Sequence, residues 1–313
     1  MSERSQFNVL SLDGGGSKGV YTLGVLKEFE AACDRPLSEF FQLIYGTSTG
    51  AIIASLLALG KSVSEIQTIY SEIIPRVMSR KTSKHRSSEL EKCANEVFGE
   101  SKFDAFKTGV GIVATNNDKH RPMIFKSAAA LSYTMRSTFA LGFGCTIAEA
   151  LMASTAATPF FLARQVKTAH SDLITAIDGG FVANNPTLFA INDAVKALGI
   201  PENEIKVLNV GVGHYVEPQQ TFYAKLLNLL PSVRMVQDMF ETSSNTVDIV
   251  RGICFPSVEC IRVDQTFSDP RYATDLLEHR PARLTQLTSL GRDSYSYQEK
   301  DIVRIFLKGN EIV

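Results

Sequence analysis

A serine at the centre of a glycine-flanked pentapeptide is well placed to act as a nucleophile. Ser48 lies in a G-x-S-x-G sequence that runs from Gly46 to Gly50. An apolar, strand-like run at residues 42–45 precedes it, and an apolar, helix-like run at residues 51–59 follows it. A serine on such a tight strand-to-helix turn has its hydroxyl exposed, as in the nucleophile elbow of hydrolases. The two glycines give the room that a crowded turn requires.

A second glycine-rich segment could hold a negative charge. Residues 13–19 read Asp-Gly-Gly-Gly-Ser-Lys-Gly and lie between a strand-like run at residues 7–12 and a helix-like run at residues 20–33. A glycine loop that opens a helix presents backbone N–H groups to an anion. In a serine hydrolase that anion is the tetrahedral oxyanion, and losing one donor costs ~100- to 1000-fold in rate. The loop is therefore a candidate oxyanion hole.

The same glycines also fit a different function. Gly14, Gly16 and Gly19 match G-x-G-x-x-G, the fingerprint of dinucleotide-binding enzymes. That fingerprint requires an acidic residue at the end of the next strand, whereas here that strand leads to Ser48. Asp13 would also lie beside a pyrophosphate that it repels. A dinucleotide-binding oxidoreductase remains an alternative, which bound nicotinamide or flavin would reveal by its absorbance.

An aspartate supplies a candidate partner for the serine. Asp178 ends an apolar run at residues 173–177 and is followed by two glycines. Active sites of α/β proteins form beyond the carboxyl ends of strands, where this side chain is expected. Asp-Gly turns are common on their own. Together with Ser48 and the glycine loop, however, the pattern favours catalysis, and a non-catalytic scaffold would be expected to have lost one of the two residues.

These three segments together resemble the patatin-like phospholipase family. The family carries a D-G-G-G-x-[KR]-G loop, a G-x-S-x-G elbow and a D-G-[GA] motif in the same order, and the likeness covers roughly residues 7–213. The small residues and proline at 153–161 also look like the family's. The resemblance implies a three-layer α/β/α fold with a mainly parallel central sheet. It also implies hydrolysis of acyl esters of lipids by a Ser48–Asp178 dyad.

The resemblance assigns roles to the other motif residues. It implies an oxyanion hole formed by Gly14, Gly15 and Gly16, with Lys18 in the family's basic position. It implies a mechanism without a metal ion or another cofactor. The residues that would support the motifs are Gly19, Gly46, Gly50, Gly179 and Gly180. Apolar residues near the motifs, Phe160, Phe161 and Leu162, are candidates either for the lining of an acyl channel or for the core.

A Ser-Asp-His triad is the second alternative. In the order usual for α/β-hydrolases the histidine follows the aspartate, so the candidates are His214 and His279. Such enzymes place several strands before the elbow. Only 47 residues precede Ser48, which is room for one strand, one helix and a second strand. The topology therefore favours the dyad.

The bulk composition indicates a large α/β protein. The chain has 313 residues, of which 44% are hydrophobic, and a net charge of −1, which disfavours a nucleic acid polymer as partner. Five scattered cysteines fit a reducing compartment. The first strand is predicted at residue 7, and the longest apolar run, residues 51–59, is too short to span a bilayer. We therefore expect a cytoplasmic protein that acts peripherally on phospholipid at the inner membrane surface.

The last hundred residues match no motif. We predict helices at residues 222–230, 232–250 and 281–307 and a strand at 258–263. We expect residues 7–213 to form the catalytic domain and residues 214–313 to pack on it or complete it. The whole pattern resembles bacterial patatin-like effectors of anti-phage defence that a cyclic dinucleotide switches on. That resemblance implies a cyclic dinucleotide activator.

One basic segment stands out in an otherwise neutral chain. Residues 76–86 hold five Lys or Arg and one His without an acidic residue, just before a helix predicted at residues 88–98. The simplest interpretation is a mobile loop. Two others are attraction to lipid headgroups, since each basic residue near an anionic leaflet contributes ~1 kcal/mol, and a site for the phosphates of a cyclic dinucleotide.

Overall fold

The computed structural model describes residues 6–132, 139–216 and 231–307. Within these ranges the strands form one eight-stranded sheet and one two-stranded sheet. The strands are β1 (Phe7–Leu12), β2 (Leu43–Thr47), β3 (Gly109–Asn116), β4 (Arg121–Lys126), β5 (Arg164–Lys167), β6 (Leu173–Asp178), β7 (Ile205–Val210), β8 (His214–Tyr215), β9 (Glu259–Val263) and β10 (Thr266–Phe267).

The large sheet is mainly parallel, as the sequence predicts. Its strand order is β5-β6-β3-β2-β1-β7-β9, and β4 also pairs with β3. Strands β3, β2, β1, β7 and β9 run parallel to one another. Strands β4 and β6 are antiparallel to β3, and β5 is antiparallel to β6. The carboxyl ends of the central parallel strands therefore meet at one edge, which we call the carboxyl edge.

Helices connect the parallel strands, as crossovers of this kind require. The helices of the described residues are α1 (Gly19–Cys33), α2 (Leu37–Phe40), α3 (Thr49–Ala58), α4 (Val63–Met78), α5 (Ser83–Phe98), α6 (Ile147–Ser154), α7 (Gly180–Ala183), α8 (Thr187–Asn192), α9 (Pro231–Cys254) and α10 (Pro281–Ile302). None of them combines the length and the apolar character needed to cross a bilayer.

The central strands are buried on both faces, which produces three layers. Successive side chains of a strand point to opposite faces. Accordingly Val9 packs in one apolar cluster with Ile191 of α8, and Leu10 packs in another with Leu23 of α1 and Leu56 of α3. The sheet thus lies between a layer that contains α1, α3 and α10 and a layer that contains α8. The α/β/α expectation is confirmed.

Helix α5 begins earlier than the sequence pattern indicated. The Thr82 side chain accepts a hydrogen bond from the backbone N–H of His85, so Thr82 caps the helix and Ser83 begins it. Helix α4 ends at Met78. The basic segment 76–86 is therefore the end of one helix, a short turn and the start of the next. The interpretation of residues 76–86 as a mobile loop was wrong, because the first residues of α5 are polar and show no apolar helical spacing.

The part of the chain after residue 213 joins the same sheet. Strand β9 pairs in parallel with β7, for example through Cys260 and Val207. Helices of 231–254 and 281–302 confirm the helical character predicted there. The helix predicted at residues 222–230 lies outside the described residues. The division into domains of residues 7–213 and 214–313 remains a prediction.

Candidate active site

The strand register brings Ser48 and Asp178 to the same place. Strand β2 pairs with β3 as far as Thr47 and Val113. The next residue of β3, Ala114, pairs with Asp178 at the end of β6. Ser48 follows Thr47 directly, so the serine and the aspartate both lie where β2 ends. The sequence predicted these two positions from separate motifs, and the pairing shows why they meet.

Ser48 occupies a strained elbow. Its backbone has φ 53° and ψ −121°, and α3 begins at the next residue. A Cβ atom on Gly46 would lie 2.3 Å from the carbonyl oxygen of Gly50, so strand and helix can approach this closely only at a glycine. A positive φ at a serine is rare and persists only where the surroundings enforce it.

A second serine, Ser154, holds the elbow in place through its hydroxyl group. The backbone N–H of Ser48 donates to the Ser154 hydroxyl at 2.9 Å. That hydroxyl donates in turn to the Val113 carbonyl at 2.6 Å. Ser154 is fully buried at the end of α6, so this bridge ties the elbow to β3. No motif marked Ser154 beforehand, although it lies in the small-residue segment that resembles the family's.

The Asp178 carboxyl is unusual in its environment. It is completely buried, and burial raises its pKa to about 7, against the opposing effects of the Gly180 N–H and the Ser48 hydroxyl. Oδ1 accepts a 2.7 Å hydrogen bond from the Gly180 N–H. Oδ2 forms no hydrogen bond with the described residues. Oδ2 is therefore engaged by no donor other than the nearby Ser48 hydroxyl, in a group whose pKa suits proton exchange at neutral pH.

The glycine loop offers two free backbone donors rather than three. The Gly14 N–H donates to the Asn184 carbonyl at 3.0 Å. The amides of Gly15 and Gly16 form no hydrogen bond with the described residues, and both glycines line a cavity together with Ser48. Of the three amides expected in the oxyanion hole, only those of Gly15 and Gly16 are thus available, and the oxyanion role itself stays a prediction. No local sequence pattern indicates that the Asn184 carbonyl would accept the hydrogen bond of the Gly14 amide.

The remaining motif glycines lie where neighbouring groups leave no room for a side chain. The nearest atoms to an added Cβ are Thr49 Oγ1 for Gly19 at 2.4 Å, the Leu12 carbonyl oxygen for Gly50 at 2.3 Å, the Val113 carbonyl oxygen for Gly179 at 2.2 Å and the Phe240 ring for Gly180 at 2.7 Å. All four therefore support the close packing of the elbow, the loop and the Asp178 turn.

Lys18 belongs to an ionic network that holds both ends of the glycine loop. Its six members are Asp13, Lys18, His214, Glu241, Arg262 and Asp264. Arg262 donates to Asp13 at 2.9 Å and also pairs with Asp264. His214 Nε2 lies 3.0 Å from Asp264, and His214 Nδ1 lies 3.7 Å from Glu241. Lys18 Nζ closes the series at 3.8 Å from Glu241. Acidic and basic side chains alternate throughout.

The ionic network keeps its histidine charged. Hydrogen bonds to Asp264 and Glu241 raise the pKa of His214 to about 9. Burial lowers the pKa of Lys18, although Glu241 opposes that effect. Helix α9 supplies Glu241 and the β9–β10 region supplies Arg262 and Asp264, so the part of the chain after residue 213 fixes the glycine loop. Sequence reasoning missed these residues, because nothing local marks an ion pair between segments so distant.

Neither candidate histidine reaches the serine. His214 bonds to Asp264 and Glu241 instead. The exposed His279 has its Nδ1 3.0 Å from the Leu277 carbonyl. A Ser-Asp-His triad is therefore not assembled within the described residues. In those same residues no cluster of His, Cys, Asp or Glu is arranged to hold a metal ion.

An apolar cavity opens over Ser48 and Asp178. Its empty space, counted together with the open solvent at its mouth, is about 1000 Å³. Its walls come mainly from apolar side chains of α3, α4 and α5. Phe160 and Phe161 line it as the sequence suggested, whereas Leu162 does not and is 47% exposed. A serine hydroxyl at the side of an apolar cavity is suited to a substrate with a hydrocarbon chain.

Comparison with known proteins decides the family. The family model for patatin-like phospholipases matches residues 10–191, more than half of the chain. This chain belongs to the patatin-like phospholipase family. It is therefore a lipid-hydrolysing enzyme, and the glycine loop belongs to the phospholipase pattern rather than to a dinucleotide fingerprint.

Two curated relatives in this family are named for their regulation. The chain is 45% identical to the cUMP-AMP-activated phospholipase of Escherichia coli, over 94% of this chain and 92% of the relative. It is 27% identical to a cGAMP-activated phospholipase of Escherichia coli strain TW11681, over 67% of this chain and 63% of that relative. The second match thus spans less than two thirds of the relative's length.

A solved structure shares the fold of this phospholipase. VipD from Legionella pneumophila superposes with a TM-score of 0.53 at 12% sequence identity, over 95% of this chain and 67% of VipD. At that level of identity the likeness concerns the fold alone. It agrees with the mainly parallel sheet and its flanking helices.

Proposed function

We propose that this phospholipase cleaves acyl esters of membrane phospholipids with a Ser48–Asp178 dyad and that a cyclic dinucleotide switches it on. One observation carries the catalytic part. The strained Ser48 and the buried Asp178 carboxyl, whose Oδ2 has no competing donor besides the Ser48 hydroxyl, lie together at the wall of the apolar cavity. The family places the reaction among lipid hydrolyses, and the geometry supplies a nucleophile and a base for it.

The first half of the reaction transfers the acyl group to the serine. Ser48 Oγ attacks the ester carbonyl, and its proton passes to Oδ2 of Asp178. The resulting oxyanion accepts hydrogen bonds from the Gly15 and Gly16 amides. When the tetrahedral intermediate collapses, the ester C–O bond breaks and Asp178 returns the proton to the leaving alcohol oxygen. The lysophospholipid departs and the acyl chain stays on Ser48.

The second half releases the fatty acid. A water molecule attacks the acyl carbonyl, and Asp178 again accepts the proton. The bond between the acyl carbon and Ser48 Oγ then breaks, and the proton returns to that oxygen. The raised pKa of Asp178 suits both directions, because a base with a pKa near the working pH takes up and gives back a proton readily.

The proposed activation rests on the relatives. A protein 45% identical over nearly the full length of both chains carries the description cUMP-AMP-activated, and more distant ones carry the description cGAMP-activated. The ionic network offers a physical route, since α9 contributes Glu241 to the group that holds the glycine loop. Such control is what the resemblance to anti-phage effectors implies.

Fatty acid release from phospholipid vesicles tests this function. The full chain is incubated with vesicles, alone and with cUMP-AMP or cGAMP, and the released acids are identified by mass spectrometry. We expect release by the wild type to rise with one of the nucleotides and to vanish in Ser48→Ala. Ser71→Ala, an exposed serine of α4, serves as the matched control and should release like the wild type. Unchanged release by Ser48→Ala would refute the dyad.

A further inference from the structure

A separate apolar cluster lies beside the active site. It packs residues of α4 and α5, from one layer, against residues of α9. We call it the cap cluster, and its members are Val77, Cys93, Ala157, Phe160, Phe161, Val236, Phe240 and Leu276. All of these except Val236 also line the cavity over Ser48. Residues on the outer side of the cap cluster therefore lie close to the cavity.

The turn between α4 and α5 lies beyond the carboxyl edge of the sheet. Helix α3 starts there with Thr49 and runs away from this edge, so α4 returns toward it. The Tyr70 hydroxyl donates to the Thr49 carbonyl at 3.0 Å, which places that turn of α4 level with the elbow. Met78 ends α4 eight residues later, about 12 Å farther along the helix axis. The basic residues that follow thus project past the active site.

Hydrogen bonds attach this basic turn to the cap cluster. Arg86 Nε donates to the Phe160 carbonyl at 3.0 Å. The Leu162 N–H donates to the Ser87 hydroxyl at 2.9 Å. The start of α5 and residues 160–162 therefore form one continuous surface. The charges of the first and the apolar side chains of the second thus belong to the same surface.

Part of the positive charge of this surface is unneutralised. Arg76 and Arg80 are paired with Glu89, and Arg76 also pairs with Glu96. Lys81, Lys84 and His85 are exposed and form no ion pair with the described residues. The stretch of residues 79–88 contains no acidic residue. The two lysines and His85 face solvent, on a helix start that is hydrogen-bonded to Phe160 of the cap cluster.

Large apolar side chains that neighbour the cap cluster in sequence are exposed as well. Leu162 is 47% exposed directly after Phe161 of the cap cluster. On α9, Met235 and Met239 are 67% and 37% exposed, each next to a member of the cap cluster. Asp238 is an exposed acid on the same helix and already takes part in an interaction of its own. Exposed apolar groups combined with basic residues are typical of proteins that lie on membranes.

We infer that this face, formed by Lys81, Lys84, His85, Leu162, Met235 and Met239, docks on an anionic phospholipid bilayer. The inference rests on the proposed function, because a phospholipid has to leave a leaflet and enter the cavity beside this face. The lysines attract anionic headgroups, and the apolar side chains enter the boundary between headgroups and acyl chains. Docking by this face brings the cavity to its substrate.

Vesicle co-sedimentation of the full chain tests the docking face. The Ser48→Ala background keeps the vesicles intact and makes the measurement independent of hydrolysis. Binding is compared on vesicles of phosphatidylcholine alone and of phosphatidylcholine with phosphatidylglycerol, at about 0.1 M and about 1 M salt. We expect stronger, salt-sensitive binding to the anionic vesicles. The double variant Lys81→Glu/Lys84→Glu should lose that preference, with affinity down about 10-fold or more, and Leu162→Asp should weaken binding at both salt concentrations.

A control variant with the same charge change separates docking from general attraction. Lys102 and Lys196 are exposed and lie shortly before β3 and β7 begin, at the edge opposite the carboxyl edge. Lys102→Glu/Lys196→Glu should bind anionic vesicles like the background. Thermal unfolding of each variant verifies that it folds. Equal losses in the two double variants would overturn the inference, because they would show net charge alone at work.

Two further outcomes are informative. If Lys81→Glu/Lys84→Glu binds vesicles normally but no longer binds cUMP-AMP, the turn is a nucleotide site and the docking inference is wrong. Hydrolysis of a soluble ester by the wild type tests the proposed function separately. If the wild type hydrolyses the ester but Ser48→Ala does not bind anionic vesicles, the docking inference is refuted and the proposed function is retained.

Discussion

The base of the proposed dyad is an aspartate, whose ordinary pKa would make it a weak proton acceptor at neutral pH. Here burial raises the pKa of Asp178 to about 7, and one carboxylate oxygen has no competing donor besides the Ser48 hydroxyl among the described residues. The residue gains base strength from its position. The same burial destabilises the folded protein when the carboxyl is ionised. Both the effect on activity and the effect on stability can be measured.

The first prediction concerns the pH profile. Asp178 must be ionised to accept the proton of Ser48, so kcat/KM on a soluble ester should rise with pH and level off above about 7. Below that value it should fall about tenfold per pH unit. Asp178→Asn should lose at least ~100-fold in kcat and the pH dependence with it. Asp172→Asn, near the start of β6, serves as the control; a profile with its midpoint near pH 4 would contradict the raised pKa.

The second prediction concerns stability. The pKa of Asp178 is higher in the folded protein than its usual 3.8, so the folded state favours the protonated acid. The ionised form therefore destabilises the fold, and this loss grows as pH rises from about 4 to about 7. Asp178→Asn should raise the free energy of unfolding at pH 8 by a few kcal/mol, since each pKa unit corresponds to about 1.4 kcal/mol. The gain should vanish near pH 4. If Asp178→Asn were instead less stable than the wild type at pH 8, the ionised carboxylate would not be destabilising the fold.

At the scale of secondary-structure elements, the glycine loop depends on what packs behind it. A Cβ atom on Gly15 would lie 2.5 Å from Cγ2 of Val212, which follows β7. The loop would have to move, and its amides would move with it. This gives the third prediction: Gly15→Ala should lower kcat by ~100-fold or more with little change in KM.

The methyl group of Gly15→Ala would clash with the Val212 side chain rather than with backbone, so a second substitution can remove the clash. In the double variant Gly15→Ala/Val212→Ala the methyl group has space, and a substantial part of kcat should return. Val212→Ala alone reports the cost of the cavity by itself. If the double variant is no faster than Gly15→Ala, the methyl group acts through something other than contact with Val212.

The sequence predicted elements and motifs better than it predicted connections between them. Buried strands and long amphipathic helices were recognisable, because their apolar spacing is local. The placement of Ser48 at an elbow followed from Gly46 and Gly50 for the same reason. The start of α5 at Ser83 was missed because its first turns are polar. The Gly14 amide donates to the carbonyl oxygen of Asn184, a distant residue in the chain, and no local pattern encodes that hydrogen bond.

At the scale of the whole molecule, the part of the chain after residue 213 is joined to the active site through the ionic network. Glu241 of α9 lies between Lys18 and His214, and the network continues through Asp264 and Arg262 to Asp13. The glycine loop is thus held at both ends by side chains from a region without a catalytic motif. A ligand that moves α9 would change the loop.

The last prediction tests that route. A ligand activates only by binding the active arrangement more tightly than the resting one, and the two effects are linked reciprocally. If α9 transmits the change, Glu241→Gln should reduce the ratio of kcat/KM with cUMP-AMP to kcat/KM without it by several-fold. Calorimetry should show a reduced affinity for cUMP-AMP as well. Glu259→Gln, an exposed acid at the start of β9, is the matched control and should keep the wild-type ratio. An unchanged ratio in Glu241→Gln would mean that activation reaches Ser48 by a path that avoids the ionic network.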